Sequence, residues 1–429
     1  MKKVLIVGKD GRAHALALAC LRTSGTRVWM APGNPGTEIL SESSDRIRNV
    51  PIEESDFDSL ARFAKSEKMD LTVVSAEQPY VDGIVDHFFE KHGLPIFGPT
   101  KEAARLEGSK SYAKDFMREN NIPTADYWFF EDYQSASEFV KRERKARVTK
   151  ADGLASGKGV SVCDSEIEAE KALRRMMVDG EFGEAGKKVV IEERLSGKEL
   201  SVHAICHGHK YVLLPVSQDR KALFDGERLV NTGGLGAIAP VPWVTAELMD
   251  QIEKLIIKPT LRGMIDRHCP FTGCLYCGLM ITDNGPMLLE YNIRFGDPEA
   301  EVILPLIKSD FTSLLIMSIG GGLEYYKLKL SQQKAVGVVL ASGGYPHPDK
   351  IKKGLPIDGL SVADQEPGTI VHHAGTEFRN GRIVTAGGRV FTITGLGLTF
   401  TSASHRVYKT ADLIRFEDKL MLSGIGSDA

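Results

Sequence analysis

The sequence predicts a mixed fold: an α/β N-terminal domain with a doubly wound parallel sheet, an α+β middle, and a small β-rich C-terminal domain. Three observations carry that prediction. The chain has 429 residues, too many for one ordinary core, so two to four domains are expected. Residues 1–100 alternate short apolar runs with amphipathic stretches. From residue 334 onward, strand patterns and glycine turns dominate.

In chain order, residues 3–7, 27–31, 71–75 and 95–98 read as short buried strands, with amphipathic helices such as 13–22 and 56–66 between them. Ligands of such sheets bind beyond the carboxyl ends of the strands, where three loops fall: 8–14, 33–37 and 75–78. After Thr100, a helix carrying Lys110 and Tyr112 leads to Asn121-Ile122-Pro123. A basic run at 141–145 precedes Val148-Thr149-Lys150, and 166–178 is a further helix. Residues 189–193, 199–206 and 211–216 read as strands, and 245–268 as a long helix disturbed at Pro259. Residues 273–282, the turn Asp283-Asn284-Gly285 and residues 287–293 form a hairpin signature. Residues 334–342 open the last region, Asn380-Gly381 marks another hairpin, and 400–414 closes as a helix. No repeat or low-complexity linker separates these units, so they are expected to pack as one body.

Bulk properties exclude several classes. Net charge is −3 with mixed signs and no basic face interleaved with aromatics, so no nucleic-acid partner is expected. No apolar run is long enough to span a bilayer, so no membrane partner is expected either. The apolar run Val4-Leu5-Ile6-Val7 ends after four residues, too soon for a signal peptide. The six cysteines are scattered, mostly in apolar strand-like runs, which fits a reducing cytoplasm better than a disulfide scaffold.

Residues 287–299 hold the most chemistry. An apolar run switches there to strict alternation, so Glu290, Asn292 and Arg294 share one strand face while Tyr291, Ile293 and Phe295 take the other. Glu290 and Asn292 offer hard oxygen ligands suited to Mg²⁺ beside phosphates. Arg294 suits a phosphate or carboxylate. A solvated strand face before the turn Gly296-Asp297-Pro298 fits the same letters. A second element is Lys150-Ala151-Asp152-Gly153-Leu154-Ala155-Ser156-Gly157-Lys158-Gly159, a glycine-rich loop with a lysine near each end. Its backbone N–H groups and lysines suit phosphate, although a mobile hairpin tip would read alike. It is not a P-loop, because three residues separate Gly153 from Gly157 and Gly159 stands where Ser or Thr would hold the metal.

Other patterns are less specific. Val189-Val190-Ile191-Glu192-Glu193-Arg194-Leu195, with Glu199 beyond it, reads as a strand entering a hinge. Its backbone could read an adenine edge while Glu199 accepts ribose hydroxyls, and a solvated strand end is the alternative. Gly8-Lys9-Asp10-Gly11-Arg12 follows a strand and opens a helix, a favourable place for an anion. Asp10 replaces the second glycine of a dinucleotide fingerprint, so a single phosphate held by N–H groups and Arg12 fits better than a nicotinamide cofactor. Cys274 and Cys277 lack a second pair and face opposite sides of a strand, so they read as buried apolar residues. His203, His207 and His209 straddle a turn at Gly208, and His372-His373 ends a strand. Packing is the safer reading for each.

In this order, the Lys110 helix, the Lys150 loop, Glu192–Leu195 with Glu199, and the Glu290/Asn292 strand resemble the ATP-grasp ligases. Within them the chain is similar nearly end to end to the phosphoribosylamine–glycine ligase family. The similarity rests on Ala31-Pro32-Gly33-Asn34, Phe97-Gly98-Pro99-Thr100, Leu106-Glu107-Gly108-Ser109-Lys110, Asn231-Thr232-Gly233-Gly234, Arg294-Phe295-Gly296-Asp297-Pro298-Glu299, Leu340-Ala341-Ser342-Gly343-Gly344-Tyr345-Pro346 and His373-Ala374-Gly375-Thr376.

The resemblance implies an N-terminal pre-ATP-grasp domain at 1–102, an ATP-grasp domain pair at 103–328 with a lid at about 123–190, and a C-terminal domain at 329–429. It implies a free-standing monomeric enzyme that uses ATP with Mg²⁺ or Mn²⁺ to join glycine to 5-phosphoribosylamine through glycyl phosphate. By that analogy Lys110 and Lys150 contact the ATP phosphates, with Gly157 and Lys158 in a lid over them. Glu192, Glu193 and Leu195 frame the adenine and Glu199 holds the ribose. Glu290 and Asn292 bind the metal. Arg294 stabilises the acyl phosphate, with Lys150 and Asp297 also in the catalytic set. Asp219, Lys221, Asn231, Thr232, Gly233, Gly234 and Asp297 line the substrate pocket, and Gly11 and Arg12 receive the ribose 5-phosphate.

The departures from the family pattern cluster on the substrate side. The usual Gly-Ser-Gly-Gly-Arg-Glu-His-Ala differs here at Lys9, Asp10 and Ala13. Gln-Asp-His-Lys-Arg becomes Gln218-Asp219-Arg220-Lys221-Ala222. Gly-Pro-Glu becomes Ser75-Ala76-Glu77, and the Gly-Pro before Asn-Thr-Gly-Gly becomes Leu229-Val230. A working divergent enzyme is the expectation, with Lys9 and Arg220 offsetting lost contacts. A carboxylate–amine ligase of shifted amine specificity, a relative with weakened catalysis and a biotin-dependent carboxylase subunit are the alternatives.

Overall fold

The computed structural model describes residues 1–155, 158–225, 228–427 and 429, and within 222–231 it describes the backbone alone. The N-terminal part runs β1 (Lys2–Gly8), α1 (Gly11–Leu21), β2 (Thr26–Pro32), α2 (Pro35–Ser43), β3 (Ile47–Asn49), α3 (Phe57–Glu67), β4 (Leu71–Val74), α4 (Glu77–Asp82), α5 (Ile84–His92) and β5 (Ile96–Phe97). Its sheet has the order β3-β2-β1-β4-β5, and all its pairings are parallel. Val4–Val7 of β1 are wholly buried, because helices cover both faces of a parallel sheet. The strand order reverses between β1 and β4, so the loops after these two strands face the crevice where such folds bind ligands.

Two expected loops prove to be helix starts. Asn34 caps α2 by accepting from the Thr37 amide, and the Thr37 hydroxyl oxygen accepts in turn from the Asn34 N–H. Asn-Pro-Gly reads as a turn, but Pro35 sits at the first helical position, where its missing donor costs nothing. Glu77 likewise opens α4.

Helices α6 (Lys101–Gly108) and α7 (Lys110–Glu119) lead into β6 (Tyr127–Phe130), α8 (Tyr133–Arg142), β7 (Ala146–Ala151), β8 (Val160–Val162), α9 (Glu166–Met177) and β9 (Val189–Glu193). These strands make the antiparallel sheet β6-β9-β7-β8, with α8 and α9 packed on it. Next come β10 (Lys198–His207), β11 (Lys210–Leu213), β12 (Gln218–Asp219), β13 (Ala222–Asp225), β14 (Arg228–Asn231), β15 (Gly236–Ala239), α10 (Ala246–Ile252), α11 (Lys258–Asp266), β16 (Thr272–Thr282) and β17 (Gly285–Asn292). A second antiparallel sheet, β11-β10-β16-β17, faces the first across a cleft. The strand expected at 211–216 stops at Leu213. The long helix divides: between α10 and α11 a wider π turn spans Glu253–Ile257, where Pro259 cannot continue the regular ladder.

Helices α12 (Glu299–Ile303) and α13 (Phe311–Gly320) precede β18 (Lys334–Ala341), α14 (Leu360–Ala363), β19 (Thr369–His373), β20 (Thr376–Arg379), β21 (Arg382–Thr385), β22 (Arg389–Gly397) and α15 (Phe400–Leu413). Asn380 and Gly381 take φ of 51° and 74°, the positive pair that a two-residue hairpin turn requires. The C-terminal sheet has the order β12-β15-β18-β22-β19, so two strands from the middle of the chain complete it. A buried cluster runs from Leu5 and Val74 of the first sheet through Phe116 to Leu275 and Tyr291, joining the parts into one body. Among the described residues, no helix is long and apolar enough to cross a membrane.

Candidate active site

A cavity of about 410 Å³ lies between the two antiparallel sheets, closed at one end by the N-terminal domain. The alternation at 287–295 explains its floor. Glu290, Asn292 and Arg294 all line it, while Ile293 and Phe295 are buried in the cores behind, with Tyr291 buried in the same core as Ile293 and bordering the cavity. Burial alone would raise the Glu290 carboxyl. The positive charges of Lys221, Lys150, Lys110 and Arg294 outweigh it and hold Glu290 below its ordinary value. An ionised carboxylate beside an amide oxygen, ringed by cations, is a donor set that fits a hard divalent ion sharing phosphate ligands.

The lysines enter from two elements. Lys110 begins α7, whose N-terminus is tied to the start of the glycine loop: Ser109 caps the helix, and Asp152 accepts from the Ser111 amide at 2.5 Å. Lys110 Nζ donates to Gly153 O at 3.3 Å. Lys150, on β7, reaches Glu192 Oε1 at 2.7 Å and Leu289 O at 3.2 Å. Glu192 Oε2 also lies 2.9 Å from Lys114 Nζ, which donates to Thr124 Oγ1 at 2.7 Å. This Lys114–Glu192–Lys150 triad is buried, with Glu192 at 2% exposure. Burial lowers the Lys114 ammonium to about 8 despite Glu192. Burial opposes ionisation of Glu192 too, and the two ammonium groups outweigh it.

The Glu192 side chain is committed to two lysines and so positions Lys150, while Glu192 also lines the cavity beside the strand end. Glu193, Leu195 and Glu199 do line the cavity, and Glu199 Oε2 lies 3.5 Å from Lys221 Nζ. Lys158 is exposed and lies outside the cavity lining. Gly157 lies outside the described residues, as does the Asn231 side chain.

Asp219, Lys221, Thr232, Gly233 and Asp297 line the substrate end, and Gly234, at φ 99°, packs behind against Pro298 and Asp219. Asp297 Oδ2 is 3.0 Å from Arg389 Nη2. Arg294 is fixed by Glu77 at 3.2 Å and Glu107 at 2.9 Å. Behind the Gly296–Pro298 turn, Gly296 N–H donates to His203 Nε2 at 3.1 Å and Tyr276 OH donates to Glu299 at 2.6 Å. His203 is therefore a packing residue, as expected. Cys274 and Cys277 are free and buried in different cores. Among the described residues, the grouping close enough to share an ion is Asp58, His87 and His92, away from the cavity lining. Gly11 and Arg12 do not line the cavity either. Arg12 stands behind Glu77 and Asp297, 3.6 and 3.9 Å from their carboxylates.

Sequence reasoning missed Glu77, Glu107, Lys114 and Arg389. Lys114 had a signal, since Lys110 and Lys114 share a helix face at i, i+4. Arg389 had none, because nothing local links it to Asp297.

Residues 2–107 match the phosphoribosylglycinamide synthetase N domain, 108–300 its ATP-grasp (A) domain and 335–428 its C domain. The chain belongs to the phosphoribosylglycinamide synthetase family. It is 43% identical over 429 residues to the phosphoribosylamine–glycine ligase of Chlorobaculum tepidum, covering 100% of both. It is 43% identical over 422 residues to the bifunctional purine biosynthetic protein PUR2,5 of Pichia angusta. That match takes in 97% of this chain and 52% of the other, so the chain spans about half of that relative's length. The crystal structure of phosphoribosylamine–glycine ligase from Thermotoga maritima matches with a TM-score of 0.81 and 35% identity, covering 98% of each chain. The motifs quoted above therefore identified the family correctly.

Proposed function

We infer that the chain is an ADP-forming ligase of purine biosynthesis that joins glycine to 5-phosphoribosylamine, giving glycinamide ribonucleotide and phosphate. The observation that carries this reading is one cavity bringing Lys110, Lys150, Glu290, Asn292 and Arg294 together, in a chain of this family. The chemical obstacle is that a carboxylate is a poor electrophile. Transfer of the γ-phosphoryl group from ATP to a glycine carboxylate oxygen breaks the β–γ bridge, releases ADP and makes glycyl phosphate. The amine of phosphoribosylamine then attacks the acyl carbon, loses a proton, and phosphate departs with the bonding pair.

In this reading Lys110 and Lys150 neutralise and orient the phosphates, and Glu192 with Lys114 keeps Lys150 aimed. Glu290 and Asn292 would hold Mg²⁺ or Mn²⁺, which when bound neutralises phosphate charge. Arg294, held by Glu77 and Glu107, faces the acyl phosphate. Glu193, Leu195 and Glu199 take the adenosine, with Gly157 and Lys158 in the covering loop. Asp219, Lys221, Asn231, Thr232, Gly233, Gly234 and Asp297 form the glycine and amine side, and Gly11 with Arg12 the phosphate side. The division at 102 and 328 belongs to this reading, with β12 and β15 lent to the C-terminal sheet. So do a cytoplasmic site, supported by six buried free cysteines, and a monomeric state that light scattering checks.

Release of ADP, measured with glycine and freshly made phosphoribosylamine, tests the reading. The expected result is turnover that requires both. ATP hydrolysis indifferent to the amine overturns it.

A further inference from the structure

The first turn of α1 already holds an anion, and the chain supplies it. Asp10 Oδ1 accepts from the Ala13 amide at 2.8 Å. Asp10 Oδ2 accepts from Arg12 Nε at 2.9 Å and Nη2 at 2.7 Å. A helix amide and a forked guanidinium are the partners a phosphate would find at such a place. Arg12 is 8% exposed, and its Nη1 donates to Phe295 O at 3.3 Å.

The surroundings are acidic. Asp10, Glu77 and Asp297 lie against Arg12, and the other guanidinium on Asp297, Arg389, also donates to Asp297 O at 2.7 Å. Arg294 is held by Glu77 and Glu107. Burial and the Asp10 charge raise the nearby Glu54 carboxyl to about 6. Glu301 is fully buried, with no partner for either oxygen, and a Cβ built on Gly11 would run into its Oε1. An entering phosphate dianion thus meets the Asp10 and Glu77 carboxylates and an arginine they already engage, while burial pushes Glu301 well above its ordinary value and keeps it a neutral carboxyl.

We propose that Asp10 is a specificity-determining residue that occupies the anion position at the α1 N-terminus from within the chain, so that the phosphate of the amine substrate binds there only by displacing Asp10 from Ala13 and Arg12. This rests on 5-phosphoribosylamine being the amine substrate. Asp10 then weakens binding of the phosphorylated ligand and leaves its unphosphorylated counterpart unaffected.

Calorimetric titration of ribose 5-phosphate, and of ribose as control, into the wild-type chain, Asp10→Asn and Asp10→Gly tests the proposal. Asn retains the helix cap while removing the charge, which guards against a folding defect. Both variants are expected to bind ribose 5-phosphate about tenfold tighter or more, the size of one charged hydrogen-bond set, with ribose binding unchanged. In steady state, KM for phosphoribosylamine should fall with kcat little changed. Ribose 5-phosphate affinity that is unchanged or weaker in both variants overturns the proposal. A wild-type chain without amine-dependent ADP release would overturn the ligase reading instead, and the ribose 5-phosphate titration would still decide the role of Asp10.

Discussion

Replacing Glu192 by Gln should both destabilise the protein and loosen its hold on ATP. Lys114, Glu192 and Lys150 are 1%, 2% and 5% exposed, and one carboxylate serves both ammonium groups at 2.9 and 2.7 Å. Gln keeps the volume, but its single oxygen can accept from one lysine while its amide confronts the other. Removing one partner of a buried pair costs about 3–5 kcal/mol. Lys114, already lowered to about 8 by burial, can shed its proton, which holds the cost near the lower end of that range. The pH dependence has a defined sign. In the variant the folded Lys114 pKa falls below about 8, so over that interval the folded state binds fewer protons than wild type. Stability therefore rises with pH there, and the deficit against wild type is largest at low pH and narrows as pH approaches 8. Urea unfolding followed by tryptophan fluorescence at several pH values reads the deficit. KM for ATP reads the misplacement of Lys150 and should rise. An unchanged urea midpoint and m value, with an unchanged KM, would refute the reasoning.

Other substitutions probe the remaining charges. Glu290→Gln should leave the fold intact, since the cavity side of the strand is not core, and should lower turnover by more than the ~10–100-fold typical of losing a mere supporting partner of a metal ligand. Chelation should abolish wild-type ADP release and added Mg²⁺ or Mn²⁺ restore it, and Mg²⁺-dependent activity unaltered in Glu290→Gln would contradict the assignment. Burial opposes ionisation of Glu77, yet Arg294 and Arg12 outweigh it and hold the carboxyl at about 2 against 4.5. A folded pKa below the unfolded one contributes stability that is complete above pH 4.5 and disappears as pH falls towards 2, about 3 kcal/mol in all. Glu77→Gln should therefore flatten the loss of urea stability between pH 5 and 3, and an unchanged acid slope would count against this ion-pair cluster.

Local periodicity made much of the fold and floor of the site legible. The alternation at 287–295 placed Glu290, Asn292 and Arg294 on one wall, because strand side chains alternate whatever surrounds them. Residues 189–193 read as a strand and are one, and Asn380-Gly381 marked its hairpin. Short elements were harder. β3 has three residues, too few for a period, and the cap of α2 reads as a turn.

The sequence by itself therefore determined the family and which side chains of the 287–295 strand share the cavity face, since these depend on motifs and spacing of a few residues. Only tertiary structure decided which charges meet. No local pattern connects Lys114 and Lys150 with Glu192, Asp297 with Arg389, or β12 and β15 with the C-terminal sheet, because chain crossings bring them together. Asp10 shows both halves. Its letters reveal an acid in an expected phosphate loop, and the fold decides that this acid caps α1 and holds Arg12.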